Sequence, residues 1–265
     1  MEFIGHGALG ILGLAPAWAR YFAVVGIGGG TASALMPLVG TMDVCLGLML
    51  LLRPVRAISI WMVAWALWTA LLRPLAHESV WETVERAGNY GAPLALFILG
   101  GRLGAGFRIG SGAEKALETA RLKACAWTLR LTTALLLFGH GALNLWVAKP
   151  VFAAQYAFVG LRGAWAEPAV GAAECALALW VLARPSPRLL VSVLAWKVAT
   201  EALFPLSGSP VWVFIEHGGS YAAPLALALL QARTLPGGAL VEKERDLGAG
   251  AVHALDQDAL HVRRL

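Results

Sequence analysis

Residues 81–93 read WETVERAGNYGAP and residues 212–224 read WVFIEHGGSYAAP. Trp81, Glu85, Tyr90 and Pro93 return as Trp212, Glu216, Tyr221 and Pro224, each 131 positions on. The match runs outward from there. Without a gap, residues 43–93 and 174–224 agree at 18 of 51 positions. Arg53-Pro54 pairs with Arg184-Pro185, Trp65 and Thr69 with Trp196 and Thr200, and Pro74 with Pro205. Upstream, Gly5-His6-Gly7-Ala8-Leu9 returns as Gly139-His140-Gly141-Ala142-Leu143, with the offset grown to 134. A pattern that recurs at fixed spacing reads as one module used twice.

Composition says where the module sits. The chain of 265 residues is 58% hydrophobic and 14% charged, with a mean hydropathy of +0.68. Soluble domains average about 45–50% apolar and about 25% charged, so these values point to a membrane protein whose first partner is the lipid bilayer. The net charge of +5 is spread over short loops, with no basic patch interleaved with aromatics. A nucleic-acid partner is therefore not expected. Cys45, Cys125 and Cys175 form no C-x-x-C and no paired framework, and read as small core residues.

A span needs about 20 apolar residues. Eight segments are expected: 1–14, 35–52, 55–75, 83–101, 123–147, 166–183, 187–206 and 211–232. The first is short for a crossing. Residues 15–34, apolar but broken by Gly28-Gly29-Gly30, read as a re-entrant or interfacial stretch. The loops after segments 2, 4 and 6, with the tail, hold 14 Lys and Arg, against 5 in the loops after segments 1, 3, 5 and 7. Both termini and the basic loops are thus expected in the cytoplasm, with the chain in the inner membrane. Four segments per unit put both units in the membrane in the same sense. The expected fold is all-α and polytopic: two tandem four-helix bundles related by a parallel pseudo-twofold. Residues 1–101 form the first unit, 102–122 a basic linker, 123–232 the second unit and 233–265 a flexible tail. Ser111-x-x-Glu114 reads as a capping box inside the linker.

Ionisable groups within spans cost about 2.5–3.5 kcal/mol each on insertion scales, so they are the candidates for function. The second unit offers His140, Glu174, Lys197, Glu201, Glu216 and Tyr221. At about 1.5 Å of rise per residue its charged members fall about 7–13 Å from one end of their spans, as one shared polar cavity would place them. The first unit offers His6, Asp43, Thr69, Glu85, Asn89 and Tyr90, with Ala66 and Ala70 at the positions of Lys197 and Glu201. Being the more polar, the second unit is the expected active half. The same residues would also serve as a structural polar core, since Lys197 and Glu201 lie i,i+4 on one helix face. No H-x-x-x-H or E-x-x-H spacing marks a metal site. Trp18, Trp81, Trp146 and Trp212 fall near span ends, as an interfacial belt would.

Arg130, then Gly139-His140-Gly141, Glu174 in the next span and Arg184 ten residues later resemble the DoxX-like family of small four-span bacterial membrane proteins. The resemblance covers both units, residues 3–101 and 123–232. It implies a membrane subunit of a redox system, with quinone as the ligand and a soluble redox partner. In that role His140 and Glu174 would exchange protons with the quinone oxygens. No other cofactor is expected, and no catalytic residue is assigned. Two alternatives remain: a proton-coupled carrier or binding protein for a small solute or lipid, and a non-catalytic scaffold.

Overall fold

The computed structural model describes residues 1–53, 55–100 and 112–234, and every regular element among them is helical. In the first half, α1 (Glu2–Ile11) leads to the short α2 (Trp18–Val24). The long α3 (Gly29–Leu52) and α4 (Arg56–Leu75) follow, then α5 (Trp81–Glu85) and α6 (Ala87–Leu99). In the second half, α7 (Gly112–Ala142) runs into a π-helical turn, Leu143–Val147. After it come α8 (Pro150–Phe158), α9 (Ala166–Ala183), α10 (Pro187–Leu206), α11 (Val211–Glu216) and α12 (Gly218–Thr234).

Among the described residues, six segments are long and apolar enough to cross a bilayer: Gly29–Leu52, Arg56–Leu75, Ala116–Val147, Ala166–Ala183, Pro187–Leu206 and Val211–Ala232. The other two expected segments appear as α1 and α6, shorter at 10 and 13 residues. The long helices leave Leu38, Leu51, Leu179, Val191 and Leu229 exposed. Such a surface suits hydrocarbon.

Three expectations need correction. Residues 29–34 belong to α3, not to a separate broken stretch. Gly28 is extended as its N-cap, and Gly26 and Gly29 have positive φ, so the chain turns there and then stays helical. Residues 112–122, expected as part of a partly helical linker with a short helix of its own, are helical throughout and continuous with α7, and Ala116, Ala120 and Ala124 favour the helix. Cys45 is exposed on α3, while Cys125 is buried and Cys175 half-buried. Ser111, the expected capping residue, and the tail beyond residue 234 lie outside the described residues.

The motif that opens the sequence builds a broken helix twice. Arg86 between α5 and α6, and His217 between α11 and α12, leave the helical region with φ −80°, ψ 16° and φ −81°, ψ 15°. A break frees backbone carbonyls that hydrocarbon cannot satisfy. The motif tyrosines answer this: Tyr90 Oη donates to Thr83 O at 3.2 Å and Tyr221 Oη to Phe214 O at 2.8 Å. Thr83 and Phe214 are again 131 apart.

Packing follows the same correspondence. α1 lies on α3 as α7 lies on α9, and α4 on α6 as α10 on α12. Across the halves, α1 meets α11, α7 meets α5, and α6 meets α12. The last contact is backbone to backbone. A Cβ added to Gly88 would fall 2.6 Å from Gly219 C, and one added to Gly219 2.5 Å from Gly88 C. Gly88→Val must push α6 and α12 apart, and overpacking costs about 1–3 kcal/mol. Melting in detergent should fall clearly for Gly88→Val and stay unchanged for Gly30→Ala, whose new methyl meets open space. Equal melting temperatures would show that the two helices do not meet there.

Candidate functional site

Each Gly-His-Gly segment is held from two sides. A Cβ on Gly7 would reach Gly40 O at 2.3 Å, and one on Gly141 would reach Gly171 O at 2.7 Å, so α1 and α7 lie close against α3 and α9. On the other side, Gly5 abuts the backbone of Glu216, and Gly139 that of Glu85, at 2.2 Å for a Cβ in each case. This close approach sets each imidazole on a carboxylate of the next long helix. His6 Nδ1 lies 2.7 Å from Asp43 Oδ2, and His140 Nδ1 2.5 Å from Glu174 Oε2. A carboxylate only accepts, so Nδ1 carries the proton in both pairs and Nε2 is left free for other chemistry.

Around His140 the second half builds a closed network. Trp196 Nε1 donates to Glu174 Oε1 at 2.9 Å, and Lys197 Nζ stands 3.9 Å from the same oxygen. Lys197 Nζ is 2.8 Å from Glu201 Oε1, at an angle that makes an ion pair and no hydrogen bond. Glu201 Oε2 accepts from His217 Nδ1. Asn144 Nδ2 donates to His140 O at 3.0 Å, and Tyr156 Oη to Asn144 Oδ1 at 2.8 Å. Glu174 and Lys197 are 0% exposed and Glu201 1%. Burial on that scale is affordable only because each charge has an opposite charge beside it. Arg130 on α7 caps the last carbonyls of α9, donating to Val181 O at 3.1 Å and also to Leu182 O. A cation at a helix C-terminus is favourably placed.

The two halves are tied by Arg86, whose guanidinium reaches Glu216 Oε1 at 3.1 Å. At the α2 end, Glu78 accepts from Arg20 at 2.9 Å, Tyr21 at 2.8 Å and Arg73 at 3.2 Å. Burial pushes the Tyr21 hydroxyl up to about 12, so it stays protonated and donates to Glu78. Glu82 is paired with Arg73 and with Lys149. This cluster holds α2 over the end of α4.

Beneath α2 the first half contains a cavity of about 230 Å³. Aromatic rings wall it: Trp18, Tyr21, Phe22, Trp65 and Trp68. His6, Thr69, Asn89, Arg73 and Arg86 supply its polar edge. Trp18 is not part of an interfacial belt as expected. It is buried, with its ring 4.4 Å from that of His6. Three polar atoms among these helices lack partners: Trp65 Nε1, Arg86 Nε and Asp43 Oδ1. The second half satisfies the matching tryptophan, since Glu174, one methylene longer than Asp43, reaches Trp196.

The structure therefore distributes the expected site residues unevenly. His140, Glu174, Lys197 and Glu201 come together, but packed within the protein and not around this cavity. Glu216 turns to Arg86. Tyr90 and Tyr221 serve the helix breaks. His6, Thr69 and Asn89 border the cavity; Asp43 stands behind His6, and Glu85 is buried beside the α7 contact. Sequence reasoning missed His217 and Arg86, which follow Glu216 and Glu85 at the matched position. A cationic side chain at that step in both halves was the available signal. Among the described residues, no group of three His, Cys, Asp or Glu side chains could hold a metal ion.

Compared with family models, with curated proteins and with solved structures, the chain matches none. Its own architecture gives the class: helices of this length and apolarity fit a multi-pass membrane protein in a lipid bilayer. Removing one partner of a buried ion pair costs about 3–5 kcal/mol. Lys197→Met should accordingly melt far below the unaltered protein in detergent, and Lys197→Met/Glu201→Gln should recover part of the loss. If Lys197→Met melts normally, the pair does not hold this core together.

Proposed function

We propose that the protein is a DoxX-like membrane subunit that binds a quinone in the cavity of its first half. The observation that carries this reading is the cavity itself. It is aromatic-walled, sized for one substituted ring, and bordered by two residues, Trp65 and Arg86, that each hold a buried N–H without an acceptor. A buried unpaired donor costs about 1–3 kcal/mol, and a ligand bearing carbonyl oxygens removes that cost. Aromatic walls offer the ring offset or edge contacts. His6, held by Asp43 through Nδ1, keeps Nε2 for proton exchange with a quinone oxygen. Electrons would come from a soluble redox partner. Compared with the sequence expectation, this reading moves the ligand from His140 to His6.

In this reading the chain is two tandem four-helix bundles in an inner membrane, α1 and α6 completing the eight segments. The Gly88–Gly219 contact is what a parallel pseudo-twofold axis between the bundles would produce. Both termini and the basic loops face the cytoplasm. Single-cysteine labelling should find positions beside Arg53, Arg102 and Arg184 on one face. A label at Arg102 reacting from the opposite face would overturn the topology.

Titrating a short-chain ubiquinone into the purified protein in lipid nanodiscs should quench tryptophan fluorescence saturably. A net hydrogen bond is worth about 1 kcal/mol, so Trp65→Phe should weaken binding about fivefold. Absence of saturable quenching in the unaltered protein would remove the quinone reading.

A further inference from the structure

The two halves carry matching residues around His6 and around His140. Positions 131 apart give Trp65 and Trp196, Thr69 and Thr200, and Leu72 and Leu203. Positions 134 apart give His6 and His140, and Trp18 and Phe152, with each aromatic ring packed on its imidazole. The difference lies on one helix face. Ala66 borders the first-half cavity, and Ala70 stands one turn on. Their counterparts are Lys197 and Glu201, both fully buried side chains.

The hydrogen bonds differ in step with this. In the second half Trp196 Nε1 has an acceptor, Glu174 Oε1, and His217 has one, Glu201 Oε2. In the first half the matching Trp65 Nε1 has none, and Arg86 donates to Glu216 through Nη1 but leaves its Nε without an acceptor. Asp43 is too short for the first, and Ala70 has no carboxylate for the second. Lys197 then sets one positive charge between the two carboxylates that do this work, at 3.9 Å from Glu174 and 2.8 Å from Glu201. Its long side chain is fully buried, where the matching Ala66 borders open volume.

From this we infer that the second half is the same ligand pocket with its occupant built in, Glu201 and Lys197 standing where a bound molecule stands in the first half. Two consequences follow. The chain carries one open site and one latent site, at His140. The ligand of the open site presents two hydrogen-bond acceptors on an apolar body, since it replaces the acceptors that Glu174 and Glu201 supply in the other half. The acceptor rule rests on the reading of the cavity as a binding site; the equivalence of the two pockets does not.

Reciprocal exchange tests both. Lys197→Ala/Glu201→Ala gives the second half the residues of the first, and Ala66→Lys/Ala70→Glu does the reverse. Xenon occupies apolar cavities without needing hydrogen bonds, so crystals under xenon pressure count open pockets directly. The unaltered protein should show one xenon site, beside His6. Lys197→Ala/Glu201→Ala should add a second beside His140 and double the short-chain ubiquinone bound per chain. Ala66→Lys/Ala70→Glu should abolish both xenon and quinone binding. The inference is overturned if Lys197→Ala/Glu201→Ala folds and gains no xenon site. It is equally overturned if Ala66→Lys/Ala70→Glu folds and keeps the first one, which decides the matter should the alanine pair fail to fold. Xenon counts of one, two and none with no quinone bound by any variant would leave the pocket equivalence standing. That outcome would reject quinone and the acceptor rule.

Discussion

A charge placed in hydrocarbon must be answered inside the protein, because no water is there to answer it. This constraint governs the arrangement. Glu174 and Glu201 are closed in by Lys197, His140, His217 and Trp196. Glu216 is met by Arg86 from the other half. The pairs define which helices must be neighbours. α7 is fixed to α9 through His140 and Glu174, α9 to α10 through Trp196, and α10 to the break between α11 and α12 through Glu201 and His217. Apolar packing alone would leave helices in lipid free to slide, since lipid tails are as apolar as leucine. The buried polar contacts remove that freedom at specific registers.

Small residues make these contacts reachable. An imidazole spans only a short distance, so His6 meets Asp43 and His140 meets Glu174 only where the helices nearly touch. Gly7, Gly40, Gly141 and Gly171 strip the intervening side chains away. Gly5 and Gly139 do the same on the opposite face, against the broken helices that carry Glu216 and Glu85. The Gly-His-Gly segment is thus a contact device with two flat sides. The helix break at Arg86 and His217 belongs with it, because it turns α5 and α11 across the ends of α7 and α1.

Much of this was open to sequence reading. Hydropathy gives α4, α9 and α10 to within one residue, but α3 and α7 begin 6 and 11 residues before the expected segments. The matched motif gives the correspondence of contacts. What it could not give is where empty space lies. Cavity volume depends on how far side chains reach after packing, and the polar half looked the more promising on charge alone. Charge proved a guide to packing: Lys197 and Glu201 fill space, while Ala66 leaves it open. Trp18 shows a related failure. Its position near a span end suggested the interface, but α2 folds back under its tether at Glu78 and buries the ring on His6. His217 is missed because its partner, Glu201, lies on another helix, a contact that spacing along the chain does not show.

The one-methylene difference between Asp43 and Glu174 deserves weight in this light. It looks conservative, since both keep the contact with histidine. In the second half the longer side chain also reaches an indole N–H, which makes the carboxylate a junction of three elements. In the first half the shorter one leaves both an oxygen and an indole without a partner. Unmet buried polar atoms are rare in folded chains because each is costly. Beside the open cavity Trp65 Nε1 and Arg86 Nε go unmet, while the matched Trp196 Nε1 and His217 Nδ1 of the filled half are met. The filled half keeps unmet atoms of its own at Lys197 Nζ and Glu201 Oε1, which face each other as an ion pair. Unpaired indole and guanidinium N–H groups beside open volume are the features that the proposed ligand would use.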